Sequence, residues 1–287
     1  MRSLLFVPGD SEKKQSKAAL SGADALILDL EDSVSLAHKE GARLLTQDYL
    51  GKADRTSGPK LIVRMNALDT PFWRDDLDAI APAKPDAIMI PKTLSGDCVH
   101  KVSKYLDRLE GDCGLARNAI QLCNVATETA ASLFTMGTYQ GASARLFALT
   151  WGAEDLAADL GASSNMDDAG NYTGAYQLAR TLSLAAAVAA DAMPIDSIYK
   201  DFKNMDGLRA EACAALRDGF VGKMAIHPAQ VPIINEVFTP TKEDVAHAQT
   251  IIDAFEEAGN PGVIALEGVM LDQPHLKQAK RLVARAS

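Results

Sequence analysis

The chain of 287 residues carries 38 Asp and Glu against 29 Lys and Arg, a formal net charge of −9. That balance argues against nucleic acid and anionic membranes as partners, but it leaves room for a phosphate-bearing ligand held by a local lysine cluster. The 47% hydrophobic content is that of a globular fold, and the most apolar helical run, residues 182–192, falls well short of the ~20 residues a bilayer span requires.

The chain opens Met1-Arg2-Ser3-Leu4-Leu5-Phe6-Val7-Pro8-Gly9-Asp10. A basic start and an apolar stretch suggest a signal peptide. The stretch is too short, however, and acidic residues follow with no small-residue cleavage site. It reads as the first strand of a cytoplasmic protein. Further short apolar runs stand at residues 25–30, 61–65, 87–90, 120–125, 146–150, 197–199 and 223–226, after the first at 4–7. Helical patterns lie between them, including 11–20, 99–109, 130–136 and 207–217. Continuous apolar runs alternating with helices predict a parallel sheet covered on both faces. Eight such units predict an α/β fold of the (β/α)8 TIM-barrel type, with an open doubly wound sheet as the alternative. The four cysteines, Cys98, Cys113, Cys123 and Cys213, are scattered without metal-finger spacing, so free reduced thiols are expected.

Almost every run ends on a charged or metal-binding side chain. In chain order these are Asp29, Glu31 and Asp32; Arg64 and Asn66; Lys92; Glu128; Glu154 and Asp155; Lys200 and Asp201; and His227. In a barrel those ends converge on one mouth, where active sites of this fold sit. Glu128 and Asp155, two carboxylates at adjacent strand ends, suit Mg²⁺, which takes oxygen ligands and keeps several waters. Taken singly, each equally suits capping of the helix that follows it. Without a His or Cys cluster beside them, zinc is not expected.

Arg64, inside an apolar run, needs a partner. Its planar fork suits a substrate carboxylate or enolate oxygen, or else Asp29 or Glu31 at the rim. Asp29, Glu31 and Asp32 offer a general base, outer support for a metal, or ion pairs to Arg64 and Lys92. Lys13, Lys14 and Lys17, with Arg2, form a candidate phosphate-binding cluster at the mouth, or a solvated helix face. His227 reads as a core or rim histidine.

Domain organisation follows the same rhythm, with a catalytic barrel over 1–238 and a C-terminal helical extension over 239–287. The extension contains a helix begun by the cap Thr241 and closed near Ala258, an apolar piece at 263–266, and a last helix over 274–284 for which Asp272 is a natural N-terminal cap. It is expected to pack on its own barrel or on a neighbouring subunit.

These segments resemble the citrate lyase beta-subunit-like family of acyl-CoA lyases, which includes malyl-CoA and citramalyl-CoA lyases. The matching stretches begin with Arg2-Ser3-Leu4-Leu5-Phe6-Val7-Pro8-Gly9 and Leu28-Asp29-Leu30-Glu31-Asp32-Ser33-Val34. Val63-Arg64-Met65-Asn66, Ile90-Pro91-Lys92-Thr93 and Glu128-Thr129-Ala130 follow. Trp151-Gly152-Ala153-Glu154-Asp155-Leu156, Ala225-Ile226-His227-Pro228 and Gly268-Val269-Met270-Leu271-Asp272 complete the series. The resemblance runs nearly end to end.

It implies a barrel assembled as a homotrimer or a multiple of trimers, with Mg²⁺ as cofactor and Glu128 and Asp155 as its ligands. It implies that Arg64 binds the keto-acid or hydroxyacyl oxygen. Backbone N–H groups around Gly152, Ala153 and Glu154 would hold a substrate carboxylate. Lys17, with Lys13 nearby, would face the phosphates of CoA, and Asp272 would reach a neighbour's site as an acid.

The implied reaction is cleavage or formation of a 3-hydroxyacyl-CoA such as malyl-CoA or citramalyl-CoA. The products are a 2-keto acid and acetyl-CoA or propionyl-CoA. A malyl-CoA-type thioesterase is one alternative. The other is a citrate lyase beta subunit acting on a carrier-protein-bound acyl group. Two positions depart from the family pattern, Thr127 before the metal glutamate and Val269 before Asp272. No histidine follows the second strand, so the keto-acid aldolase branch is not expected.

Overall fold

The computed structural model describes residues 1–286; Ser287, the last residue of the expected extension, lies outside them. The chain divides into two compact units, Met1–Asn235 and a second from Glu236 onward.

In the first unit eight parallel strands close into a barrel in chain order, with β1 (Ser3–Pro8) pairing both β2 (Ala25–Asp29) and β8 (Gly222–Ala225). Between these lie β3 (Lys60–Arg64), β4 (Ala87–Ile90), β5 (Gln121–Val125), β6 (Leu146–Thr150) and β7 (Met193–Asp196). The outer ring comprises α1 (Glu12–Ala18), α2 (Lys39–Lys52), α3 (Trp73–Ile80), α4 (Gly96–Asp112), α5 (Glu154–Leu160), α6 (Gly174–Ala189) and α7 (Met205–Asp218); α8 (Val231–Phe238) begins in this unit and runs past its end. The TIM barrel expected from the apolar runs is therefore present.

Side chains alternate along each strand, so every second residue points into the barrel. Leu4, Ile27, Ile62, Met89, Cys123, Ala148, Ile195 and Met224 form one inward cluster. Two residues further on, the same faces present Phe6, Asp29, Arg64, Val125 and Ser197 at the C-terminal end. The period of two thus sets one apolar layer beneath a layer that carries chemistry.

Gly9, just past β1, donates its N–H to the Asp29 carbonyl; a Cβ there would stand 2.7 Å from that oxygen. Only glycine lets the two strand ends approach so closely.

Three expectations are corrected. The seventh strand is Met193–Asp196, and residues 197–199 lie in the loop beyond it. The sequence hid it because Pro194 lacks a ladder donor and Asp196 breaks the apolar run. Asp196 is buried all the same, paired outside the barrel with Lys223 of β8 at 2.7 Å and bonded by Trp151 Nε1 at 2.8 Å. Lys200 and Asp201 consequently belong to that loop and do not end the strand. The helix expected at 130–136 is two 3-10 turns, Ala131–Phe134 and Met136–Tyr139. There the Ser132, Thr135 and Thr138 hydroxyls each donate to a carbonyl three residues back, which competes with α-helical pairing.

The second unit contains α9 (Lys242–Glu257), begun by a capping box between Thr241 and Asp244, and α10 (Gln273–Ala286). Between them β9 (Val263–Leu266) and β10 (Val269–Asp272) form an antiparallel hairpin. Its two-residue turn, Glu267–Gly268, has φ of 50° and 81°, the geometry hairpin turns favour. Ile251, Ile252 and Phe255 of α9 pack with Leu271 of β10 and with Leu276 and Ala279 of α10. The extension thus contains a hairpin as well as the two expected helices. No described helix is long and apolar enough to cross a membrane, and the four cysteines are free.

Candidate active site

The strand ends enclose a hollow of about 420 Å³. Its lining falls into two halves. From β2 to α5 come Asp29, Asp32, Arg64, Glu128 and the segment Trp151-Gly152-Ala153-Glu154-Asp155. From β7, β8 and β1 come Ser197, Ile198, Met224, Ile226 and Phe6, with Tyr172 alongside. The mouth is therefore charged on one side and largely apolar on the other.

Arg64 anchors the charged half. Its Nε and Nη2 donate to Asp29 at 2.7 and 2.8 Å, and its Nη1 stands 2.8 Å from Glu31 Oε2. The guanidinium lies over the Phe6 ring, 4.9 Å from its centroid. Burial works against the charge, but Asp29 and Glu31 more than offset it and hold the guanidinium protonated. Each Nη keeps a second N–H for a ligand.

Asp29 also accepts the Glu31 and Ser33 N–H groups at 2.9 and 3.1 Å. Burial pushes its carboxyl up, the Arg64 bonds pull it down further, and the net position is below the usual carboxylate range. Glu31 lies behind the hollow, and burial raises its carboxyl. Asp32 is half exposed and lines the hollow.

Glu128 and Asp155 both line the same hollow. Glu128, only 4% exposed, accepts the Lys92 N–H at Oε2. Burial, joined by the charges of Asp155 and Glu31, pushes its carboxyl up to about 8. A buried carboxylate crowded by two others is a place where a cation relieves both desolvation and repulsion. Among the described residues no three His, Cys, Asp or Glu side chains make an all-protein metal cage. Two carboxylates with no nitrogen or sulfur donor fit Mg²⁺, which fills its remaining positions from water and substrate.

Gly152 follows β6 where nothing larger fits, since a Cβ there would lie 2.9 Å from Glu128 Cγ. Its N–H donates to Thr127 Oγ1 at 3.1 Å. Thr127, the departure from the family pattern, thus ties the two strand ends together and takes an N–H that the resemblance offered to substrate. The N–H groups of Ala153 and Glu154 lie at the start of α5, where a helix leaves its first donors without intrahelical partners. The Glu154 carboxylate is paired with Lys200 at 2.9 Å and bonded by Asn165.

Other predicted residues lie elsewhere. Lys13, Lys14 and Lys17 are exposed on α1 and do not line the hollow. Arg2 precedes β1, at the opposite end of the barrel from the mouth, and pairs with Asp24 at 2.7 Å; it takes no part in a phosphate cluster at the mouth. Asn66 donates to the Leu30 carbonyl and to Asp76, a structural link. His227 is an exposed rim residue that caps a 3-10 turn and stacks on Phe202. Asp272 ends β10 in the second unit and pairs with His275 Nδ1 at 2.6 Å.

Phe6, Ser197, Ile198, Tyr172 and Met224 line the hollow as well, without having stood out as site candidates in the sequence. The two-residue step beyond each core position was the available signal for Phe6 and Ser197.

Comparison with known proteins places the chain in a family. The family described as HpcH/HpaI aldolase/citrate lyase matches residues 2–228. A (3S)-malyl-CoA thioesterase of Cereibacter sphaeroides is 38% identical over 288 residues, 99% of this chain and 94% of that protein. The citrate lyase subunit beta of Leuconostoc mesenteroides subsp. cremoris is 32% identical over 290 residues, 100% and 93% of the two chains. Among solved structures, the protein CitE from Mycobacterium tuberculosis in complex with magnesium, acetoacetate and coenzyme A superposes with a TM-score of 0.80. It shares 31% identity and covers 99% of this chain and 97% of its own. With a closed barrel, a carboxylate pair beside a fixed arginine and matches along nearly its whole length, the chain belongs to the HpcH/HpaI aldolase/citrate lyase family.

Proposed function

We propose that the protein is a Mg²⁺-dependent carbon–carbon lyase. It cleaves or forms a small 3-hydroxyacyl-CoA such as malyl-CoA or citramalyl-CoA, giving a 2-keto acid and acetyl-CoA or propionyl-CoA. One observation carries the reading: a permanently charged Arg64 is fixed in the same hollow as the oxygen-only pair Glu128 and Asp155. The CitE structure, solved with magnesium, a small keto acid and coenzyme A, supports the ligand classes.

Mg²⁺ held by Glu128 and Asp155 would supply Lewis-acid polarisation of the reacting oxygens. Arg64 offers its outer N–H groups to the oxygen that carries developing charge, and Asp29 fixes their direction, so the donors are organised before reaction. The N–H groups of Ala153 and Glu154 bind the terminal carboxylate. Of the three acids after β2, Asp32 lines the hollow, half exposed and paired with the Lys92 ammonium, and is assigned the hydroxyl proton, while Asp29 is saturated with donors and serves to position Arg64. The acid that protonates the enolate is assigned to Asp272 of a neighbouring copy in a trimer. Lys17 and Lys13 stand for the outer phosphates of CoA.

The higher identity to malyl-CoA thioesterases, 38% against 32% for the citrate lyase subunit, favours a second reading in which water attacks the thioester.

The test is incubation with malyl-CoA, methylmalyl-CoA and citramalyl-CoA, with and without EDTA, trapping released keto acid with a hydrazine. EDTA-sensitive keto-acid release is expected. Free CoA without keto acid points to the thioesterase. No turnover of any ester overturns the free-CoA lyase and points to a carrier-protein-bound substrate. Subunit exchange between Arg64→Ala and Asp272→Asn proteins tests the shared site: mixed trimers recover activity that neither parent shows.

A further inference from the structure

Lys92 touches both proposed cation ligands, and the reaction described above gives it no part. It follows β4 and Pro91 with φ of 49°, the left-handed region. A residue with a Cβ adopts that conformation at a cost, so its surroundings must hold it there. Its backbone N–H donates to Glu128 Oε2. Its ammonium lies 2.7 Å from Glu31 Oε1, 3.0 Å from Asp32 Oδ1 and 3.3 Å from Asp155 Oδ1. One flexible side chain therefore bridges the acids after β2 and the carboxylate that opens α5. The three contacts are unequal, and Asp155 is the longest. A lysine is a compact point charge on a mobile stem, and it can give up the third contact while keeping the other two.

We propose that the Lys92 ammonium is a built-in surrogate for the divalent cation. It neutralises Asp155 in the metal-free protein, and it moves back onto Glu31 and Asp32 when the cation binds. The Lys92 backbone N–H meanwhile occupies one oxygen of Glu128 and leaves the other for the metal. The cation must displace a charge already in place, so the site binds it weakly by itself and more firmly when substrate adds ligands. This rests on the reading that Glu128 and Asp155 hold the cation.

A structural ion pair and a surrogate cation predict opposite signs. If Lys92 only braces the mouth, its removal loosens the site and weakens metal binding. If it competes, its removal exposes Asp155 and strengthens binding.

The experiment titrates Mn²⁺ alone into wild-type, Lys92→Met, Lys92→Gln and Lys101→Gln proteins, read by water-proton relaxation, alongside thermal melts. Lys101 lines a second cavity that shares Lys92, Glu128 and Asp155 with the hollow, and its ammonium stands over the Trp73 ring; with no ion pair to Glu128 or Asp155, it reports the effect of removing a nearby charge alone. The expected result is Mn²⁺ binding about tenfold or more tighter in both Lys92 variants, with no comparable change in Lys101→Gln. Both Lys92 variants should also melt lower without metal and recover with it.

Unchanged or weaker binding in cooperatively melting Lys92→Met and Lys92→Gln proteins overturns the proposal, as does equal tightening in Lys101→Gln. Glu128→Gln and Asp155→Asn should each lose Mn²⁺. If they retain it, the ligand assignment itself falls, a failure distinct from an unaltered affinity in the Lys92 variants.

Discussion

Replacing Gly152 by alanine adds one methyl group to the wall between β5 and β6. That Cβ would stand 2.9 Å from Glu128 Cγ, 3.4 Å from Glu128 Oε1 and 3.4 Å from Val125 Cγ1. Carbon atoms settle at ~3.5–4.0 Å, so Glu128 must retreat by roughly 0.6 Å or more. It cannot retreat freely, because the Lys92 N–H holds its other oxygen. Gly152 is outside the left-handed backbone region, so the alanine acts by contact and not through backbone strain. A displacement approaching 1 Å at a reacting centre costs about 10²-fold in rate, whereas overpacking one methyl costs only ~1–3 kcal/mol of stability. Gly152→Ala should therefore fold, melt a few degrees lower, and lose between ~10- and ~100-fold in kcat for keto-acid release at saturating Mg²⁺. A kcat within about twofold of wild type, with unchanged Mn²⁺ affinity, would refute the placement of Glu128 as a cation ligand at this wall.

Arg64→Lys keeps the charge but loses the fork on Asp29; kcat should fall by ~10²–10³-fold in the same assay, and a near-normal rate would remove Arg64 from the reaction. Glu128→Gln should stabilise the metal-free protein at pH 8, because the buried carboxyl is raised to about 8 from 4.5. The folded state then holds the proton that the unfolded chain releases between those pH values, so wild-type stability falls with rising pH across that window. The Gln variant lacks this decline, and denaturant melts at pH 5 and pH 8 should show its advantage growing by roughly 2–4 kcal/mol. Arg145, fully buried between β6 and α4 and bonded to Glu110 at 2.6 Å through both Nη atoms, serves the fold and not the mouth. Arg145→Met should destabilise by ~3–5 kcal/mol because Glu110 is left uncompensated, while the surviving folded fraction keeps a wild-type KM.

The barrel was legible because, outside the seventh strand, its strands are mostly apolar runs, broken internally only by Asn124 in β5 and Lys223 in β8, as burial on both faces requires. The seventh strand failed that test for the reason given by Pro194 and Asp196: its acid is neutralised by Lys223, a partner 27 residues away. Pairings across such distances leave no local trace. Arg2, by contrast, precedes the run at 4–7, and the common direction of parallel strands puts every residue before a strand at the end opposite the mouth; grouping it with Lys13, Lys14 and Lys17 by charge ignored that polarity. Glu128, Asp155 and Arg64 stood out as charges at strand ends, and the structure brings them into one hollow. Thr127 and Lys92 did not reveal their contacts to Gly152 and to both carboxylates, because those contacts run between different βα units, from β5 to β6 and from β4 to β5 and β6. The hairpin partner of residues 263–266 was missed because Val269 and Met270 are exposed, so β10 shows no buried alternation.

The two-sided mouth has a consequence for divergence within the family. The groups proposed to act on the bond between carbons come from β2 to α5, while Ser197, Ile198, Met224, Ile226 and Phe6 from β7, β8 and β1 contribute shape and greasiness. Substitutions at Ser197, Ile198, Met224 and Ile226 can widen or narrow the space for an acyl chain without touching an acid, a guanidinium or a metal ligand, whereas Phe6 lies under the Arg64 guanidinium and is tied to it. A single ancestral site could thus hand down one reaction to descendants that differ only in the length and branching of what they accept, and an engineer wishing to change substrate would begin with those four positions.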